Sequence, residues 1–317
     1  MRFISAWILS ICLLSVSYRE LPNHLELFHF SVDGKFLNTI GKQGRGPEEY
    51  TDLWELTVFE DSQIIYAGTQ RSRNIYKYSF DGEFLGVIKY DKSFSSPKVL
   101  SPERIAYTTY SEYEVKIIDI PAQDTQSYIS FTPQSRSDLP QFSGCPHSGY
   151  YYSALGRDTI WRIDADSMRP ALICDFGTGH ISSQEYFGAV EKMEPYPPGR
   201  LSIGGGVLHG SGYYHFGLLR DDLQNDYTYA IVIVNEKTLD TWHFKGESDD
   251  ILFSESARFS TIAKSGEWVS VVSPVDLVEA LPKIQQNTAF KYPDDLVDQI
   301  GAMTIDDNPV LVLYELK

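Results

Sequence analysis

The chain has 317 residues, 14% of them aromatic, with 21 Tyr and 17 Phe, and carries a net charge of −16. Flat amphipathic rings suit a half-buried pleated surface, so the composition favours strands. The acidity keeps the chain soluble, or supplies a calcium-binding surface, and it excludes a grip on phosphate backbones, which needs clustered Lys and Arg; no nucleic-acid partner is expected.

Residues 1–20, MRFISAWILSICLLSVSYRE, hold one early Arg and then about fifteen mostly apolar residues. That run is too short to span a bilayer and fits the apolar region of a secretory signal. Ser15-Val16-Ser17 offers small residues at cleavage-like spacing, and Leu9-Ser10-Ile11-Cys12 resembles a lipoprotein box, with bulky Ile11 where a small residue belongs. Export to the periplasm or outer membrane is expected, with membrane contact only through such a lipid anchor. A core strand or a misplaced start is the alternative.

Self-similarity carries the fold. Phe28-His29-Phe30-Ser31-Val32-Asp33-Gly34-Lys35-Phe36-Leu37 aligns with Tyr76-Lys77-Tyr78-Ser79-Phe80-Asp81-Gly82-Glu83-Phe84-Leu85. Each copy reads as strand, two-residue turn and strand, with Asp-Gly suited to a type I′ turn. Weaker copies start at Val115, Ile160 and Ala230. With turn positions at Asp33, Asp81, Pro121, Ala165 and Glu236, the intervals are 48, 40, 44 and 71 residues. The first three match a four-stranded propeller blade of roughly 40–50 residues, and the last is a blade plus an insertion. A further apolar pair precedes each copy from the second on: Trp54–Phe59 with Ile64–Ala67, Val99-Leu100 with Arg104–Thr108, Gly149–Ser153, and Val207–His209 with Tyr213–Phe216. A last unit runs from Phe259 to Tyr314. The reading is all-β: a single-domain six-bladed propeller over residues 24–317, built of four-stranded antiparallel blades.

Two insertions break the pattern. In the first, residues 178–200, Ser182 and Glu185 form an S-x-x-E capping box for a short helix, and Pro195, Pro197 and Pro198 end it. In the second, residues 274–303, Pro274–Leu281 and Asp294–Ile300 show helical spacing and acidic first turns. Between the first hairpin and the next strand lies Ile40-Gly41-Lys42-Gln43-Gly44-Arg45-Gly46-Pro47-Glu48-Glu49-Tyr50. Its glycines permit the tight backbone of a blade-to-blade crossover, and Glu48, Glu49 and Tyr50 are placed to bind back to backbone donors or to Arg45.

This phrase, with Asp33-Gly34-Lys35-Phe36-Leu37 before it and Asp307-Asn308-Pro309-Val310-Leu311-Val312-Leu313-Tyr314-Glu315-Leu316-Lys317 at the end, resembles the exported six-bladed β-propeller proteins common in Bacteroidetes, and is similar to NHL-like and TolB-like propellers. The resemblance implies a six-bladed propeller, often a lipoprotein, and brings no catalytic residues. The first copy lacks two strands before Phe28 and the last unit lacks its outermost strand. An incomplete first blade, from a truncated or misannotated start, is therefore expected.

Little in the sequence points to chemistry. There is no CxxC, HExxH or HxxxH pair, so no metal site is expected; His209 and His215 flank a turn, where a shared ion is the lesser alternative to two strand-face histidines. Leu201-Ser202-Ile203-Gly204-Gly205-Gly206 lacks the Lys-Ser/Thr of a phosphate loop, and no cofactor is expected. Cys145 and Cys174 read equally as one disulfide or two buried thiols. Alternation sends successive rings of Tyr150-Tyr151-Tyr152 and Tyr213-Tyr214 to opposite sides of a blade. The candidate ligand-binding residues are Arg45, Glu48, Tyr152, Tyr214 and His215, and catalytic residues are not identifiable. The leading expectation is a non-catalytic exported module that binds a protein or glycan at the loop face. The alternative is a polysaccharide hydrolase or lyase with carboxylates meeting in the central channel.

Overall fold

A computed structural model describes residues 26–31, 35–69, 72–90, 94–109, 113–130, 141–182, 184–185, 192, 199–222, 226–245, 259–288, 292, 295–305, 307 and 310–314. The apolar segment 1–20, the Asp33-Gly34 turn and most of 183–198 lie outside them.

A hairpin comes first, β1 (Leu27–Phe30) with β2 (Phe36–Ile40). Blade 1 is the antiparallel meander β3 (Glu55–Phe59), β4 (Ile64–Gly68), β5 (Asn74–Ser79) and β6 (Phe84–Lys89). Blade 2 repeats it with β7 (Phe94–Ser101), β8 (Arg104–Thr109), β9 (Tyr113–Asp119) and β10 (Asp124–Ser130). Blade 3 uses β11 (Gln141–Cys145), β12 (Gly149–Ser153), β13 (Thr159–Ile163) and β14 (Met168–Ile173). In blade 4 the first strand is split into β15 (Leu201–Ile203) and β16 (Leu208–Gly210), both pairing β17 (Tyr213–Asp222), followed by β18 (Asp226–Asn235) and β19 (Thr241–Lys245). Blade 5 has β20 (Phe259–Ile262), β21 (Trp268–Val272) and β22 (Val310–Tyr314).

First strands meet at a common axis: β3 lies beside β7, β7 beside β11, and β11, β16 and β20 touch one another. Blade 5 closes on blade 1 through Lys264, whose Nζ sits 3.0 Å from Glu60 and 3.3 Å from Asp61. The fold is thus a propeller of small antiparallel sheets, but the expected six blades are corrected to five. The reason is local. By the repeat alignment β1 and β2 match the outer strands β5 and β6, so among the described residues the hairpin brings no first strand to the axis. It stands where the incomplete first blade was expected.

Apolar burial lies between blades rather than within them. Leu27, Ile40 and Tyr50 pack on Ile65, Ala67, Tyr76 and Tyr78, joining the hairpin to blade 1. Tyr66 and Ile75 meet Val99 and Ile105 between blades 1 and 2. Val115 and Ile117 meet Tyr150 and Tyr152 between blades 2 and 3. Tyr151 and Ile160 pack on Tyr214, Phe216 and Val232 between blades 3 and 4. Leu208 meets Ile262 and Trp268 between blades 4 and 5. The alternation read in the tyrosine runs holds: Tyr150 and Tyr152 serve one interface and Tyr151 the next. Each fully buried apolar side chain contributes about 1.5–3 kcal/mol.

Both expected helical stretches in the second insertion form. Helix α1 (Pro274–Gln286) is capped by Ser273, whose Oγ accepts from the Asp276 N–H at 3.2 Å. Leu277, Ala280 and Ile284 share its buried face with Ile300 of α2 (Leu296–Ala302). In the first insertion Ser182 and Glu185 make the expected reciprocal capping box.

One turn differs from expectation. Gly82 has φ +86°, while Asp81 is not in the positive-φ region that a type I′ turn requires. The Gly82 N–H donates to Ser79 O and the Ser79 N–H to Glu83 O, closing a three-residue loop with a left-handed glycine and a register shift in β5–β6. This is the bulged alternative that Asp-Gly serves equally well. A Cβ at Gly82 would sit 2.7 Å from the Thr39 carbonyl of the first hairpin, whereas Gly212, at φ +78°, has open space. Gly82→Ala is therefore expected to lower stability in urea by about 1–3 kcal/mol, and by more than Gly212→Ala does. Equal losses would show that Gly82 does not seat the hairpin.

Candidate functional site

The meander gives the propeller two unlike ends. Turns joining a blade's first strand to its second, and its third to its fourth, lie at one end. Neighbouring blades bond there: the Ser211 Oγ–H donates to Gly266 O at 2.7 Å, and the Arg104 Nη1–H to Ala165 O at 2.7 Å. These turns are short. The crossovers between blades and the β21–β22 connection lie at the other end, the longest of them 41–54, 174–200 and 273–309. Both helical insertions and the glycine-rich phrase therefore share one face.

At the axial mouth of that face Trp54 precedes β3 with its ring 63% exposed. Next to it Glu55 receives the Lys98 ammonium from β7 at 2.5 Å, joining blades 1 and 2. Burial pushes the Glu55 carboxyl above the usual range, and Lys98 pulls it back only in part. At the blade 2–3 seam Glu114 is buried. Its carboxylate accepts from the Tyr152 hydroxyl at 2.8 Å and from the Arg157 guanidinium. Blade 4 adds backbone: Gly205 O accepts from the Ser153 Oγ–H at 3.0 Å, and the Val207 N–H donates to Ser143 Oγ at 2.7 Å. The triple glycine is the break between β15 and β16, and a Cβ on Gly204 would fall 2.4 Å from Leu219.

The residues singled out from sequence separate. Arg45 and Glu48 are exposed on the first crossover. That segment binds back on itself through the Gly46 N–H, donating to Glu49 Oε2 at 2.9 Å, and the Tyr78 hydroxyl donates to Glu48 O at 2.8 Å. Tyr152 lies toward the same end, held by Glu114. Tyr214 sits near the short-turn end, stacked on His209 at 4.4 Å in the blade 3–4 seam. His215 points into the blade 4–5 seam, 5.4 Å from Phe259 and 5.5 Å from Trp268. His209 and His215 thus fall on opposite faces of blade 4, which removes the shared metal weighed for them. Cys145 and Cys174 are free thiols, so of the two readings the unpaired one holds, with both residues half-buried rather than buried.

Sequence reading missed Trp54, Glu55, Lys98, Glu114 and Arg157. A charged residue inside an apolar strand, as in Glu114-Val115 and Lys98-Val99, is the signal that was present.

A family profile, domain of unknown function DUF4934, matches residues 21–315. The chain belongs to this family. No curated protein matches the sequence. Among solved structures, a protein of Bacteroides fragilis NCTC 9343 named as exported superposes with a TM-score of 0.69 at 17% identity, covering 100% of this chain and 94% of its own. A member of the DUF4221 family from Bacteroides vulgatus ATCC 8482 gives 0.52 at 11% identity, covering 95% of this chain and 88% of its own. At these identities the likeness is one of fold.

The Glu55–Lys98 pair yields a pH prediction. Lys98→Met strands a carboxylate and is expected to cost about 3–5 kcal/mol at neutral pH. A carboxyl whose folded pKa is raised stabilises the fold when protonated, so the deficit narrows as pH falls through the folded Glu55 pKa. Thermal melts at stepped pH check this; a deficit that widens on acidification would contradict it.

Proposed function

We propose that this DUF4934 protein is an exported β-propeller interaction module that holds a glycan or peptide on its long-connection face. The observation that carries the reading is topological: every long connection is delivered to one end, beside an exposed tryptophan at the axis. Rigid blades with loops gathered at one face are the usual setting for recognition. An exposed indole next to a half-buried ion pair offers a stacking plane with a fixed polar neighbour, the arrangement that sugars and peptide backbones use. Arg45 and Glu48 border this face and Tyr152 fixes its floor through Glu114. Tyr214 and His215, near the other end, act through blade packing.

Export is part of the proposal. It rests on the signal-like segment 1–20 and on the name of the Bacteroides fragilis neighbour, and release to the periplasm or outer membrane follows from it, with lipid attachment at Cys12 as the finer form. The kinship with NHL-type repeats rests on the repeated strand–turn–strand phrase. A polysaccharide hydrolase or lyase is the second reading, favoured by the half-buried carboxylate of Glu55 and the buried one of Glu114. Each is bound by a cation from the adjoining element, which suits them to fixing blades more than to moving protons.

Glycan and peptide arrays probed with the folded full chain test the proposal. A ligand should be retained by the natural sequence and lost at least tenfold with Trp54→Ala, about 1.4 kcal/mol, with melting unchanged. Retention unaffected by Trp54→Ala, or hydrolysis of an arrayed glycan, would contradict it.

A further inference from the structure

At the short-turn end, remote from the long connections, blade 3 turns from β11 to β12 through Cys145-Pro146-His147-Ser148-Gly149. Gly144 and Gly149 hold this turn at φ +94° and +87°. The conformation is sterically committed, because a Cβ on Gly144 would lie 2.1 Å from the Gly149 carbonyl. The turn folds two side chains onto one sulfur: Cys145 Sγ stands 3.1 Å from His147 Nε2 and 3.1 Å from Ser148 Oγ. The same Nε2 lies 2.6 Å from the carbonyl oxygen of Ile262 in blade 5.

That last contact fixes the chemistry. A carbonyl oxygen only accepts, so Nε2 carries the proton and points it at both the carbonyl and the sulfur. A nitrogen already protonated cannot take the thiol proton, which excludes the Cys–His base pairing of a hydrolase at this atom. It can, however, donate to a sulfur anion, and so can the Ser148 hydroxyl. Cys145 is half-buried and His147 exposed, so the turn borders solvent. Burial works against the thiolate, but hydrogen bonds from His147 and Ser148 outweigh it and hold Cys145 below the ordinary thiol range. His147 is raised, first by its bond to Cys145. Other groups acting on the turn are Glu60 of the β3–β4 turn and the phenol of Tyr150 below, and Glu60 is itself paired with Lys264 of the β20–β21 turn. The chain contains its own control: burial and Asp158 push Cys174 up to about 12.

The geometry points to Cys145 as a reactive thiolate on the short-turn face, a modification site whose co-substrates are small hydroperoxides, with His147 and Ser148 as positioning residues. In the step, the thiolate sulfur attacks the outer oxygen of the hydroperoxide. An S–O bond forms and the O–O bond breaks. The departing oxygen takes a proton from water and leaves as an alcohol or water, while the His147 Nε2–H stays in place as a hydrogen-bond donor. Sulfur loses two electrons to become a sulfenic acid, and the peroxide gains them.

The test uses the native, folded full chain. Iodoacetamide labelling followed by peptide mass spectrometry gives a rate for each cysteine across pH, and hydrogen peroxide with dimedone traps any sulfenic acid. Cys145 is expected to alkylate at least tenfold faster than Cys174 at neutral pH, since each pKa unit below the ordinary value raises the thiolate fraction about tenfold. Its pH midpoint should lie below that of a free cysteine, and the dimedone adduct should form at Cys145. His147→Ala should move the midpoint upward, and Ser148→Ala should move it less. Equal rates for the two cysteines in the unaltered protein, or a midpoint at the free-cysteine value, would overturn the assignment without any variant needing to fold.

Discussion

A sheet of four short strands has two apolar faces and no interior. Blade 3 shows the consequence: Tyr150 and Tyr152 project to one side and Tyr151 to the other, and none of the three is hidden until blades 2 and 4 arrive. Folding is thus a matter of lateral cladding. Six apolar clusters bind the described residues; four join neighbouring blades, one seats the first hairpin on blade 1, and one docks α1 and α2 on blade 5. Removing blade 2, 3 or 4 would strip an apolar face from both of its neighbours.

The polar groups follow the same logic. Side chains that must be charged near the axis are paired across seams: Lys98 with Glu55, Arg157 with Glu114, Lys264 with Glu60 and Asp61. A buried carboxylate without its partner would cost several kcal/mol, so the Lys98–Glu55 and Arg157–Glu114 pairs set which blades are neighbours, while the exposed Lys264 pairs mark the seam between blades 5 and 1. The two ends then diverge. Short turns interlock at one end and bring Cys145, His147 and blade 5 together; long connections crowd the other and leave Trp54 in the open. The proposed recognition face and the proposed thiol site thus lie at different ends of the same scaffold.

Much of this architecture was readable from the repeated strand–turn–strand phrase, because a period near a blade's length admits few alternatives. The capping box at Ser182 and the helices after Ser273 were readable from local spacing. Two points were not. The blade number failed because the Phe28–Leu37 copy stands for a whole blade in the repeat count, yet an outer pair of strands contributes nothing to the ring's circumference. The turn at Asp81-Gly82 failed because Asp-Gly serves two hairpin geometries and register decides between them. The mouth residues escaped for a different reason: Glu55 and Lys98 are 43 residues apart and become partners only when blades 1 and 2 close. His147 and Ile262 meet in the same way across 115 positions. Seam chemistry is invisible to local pattern.

The closure of blade 5 on blade 1 is the contact on which a five-membered ring depends. A zero-length carbodiimide cross-link of the folded protein, digested and read by mass spectrometry, reports it directly, because only an ammonium and a carboxylate already in contact are joined. A linked peptide pair connecting Lys264 to Glu60 or Asp61 is the expected product. Its absence, with Lys264 linked instead to carboxylates of blade 2 or blade 3, would contradict the ring.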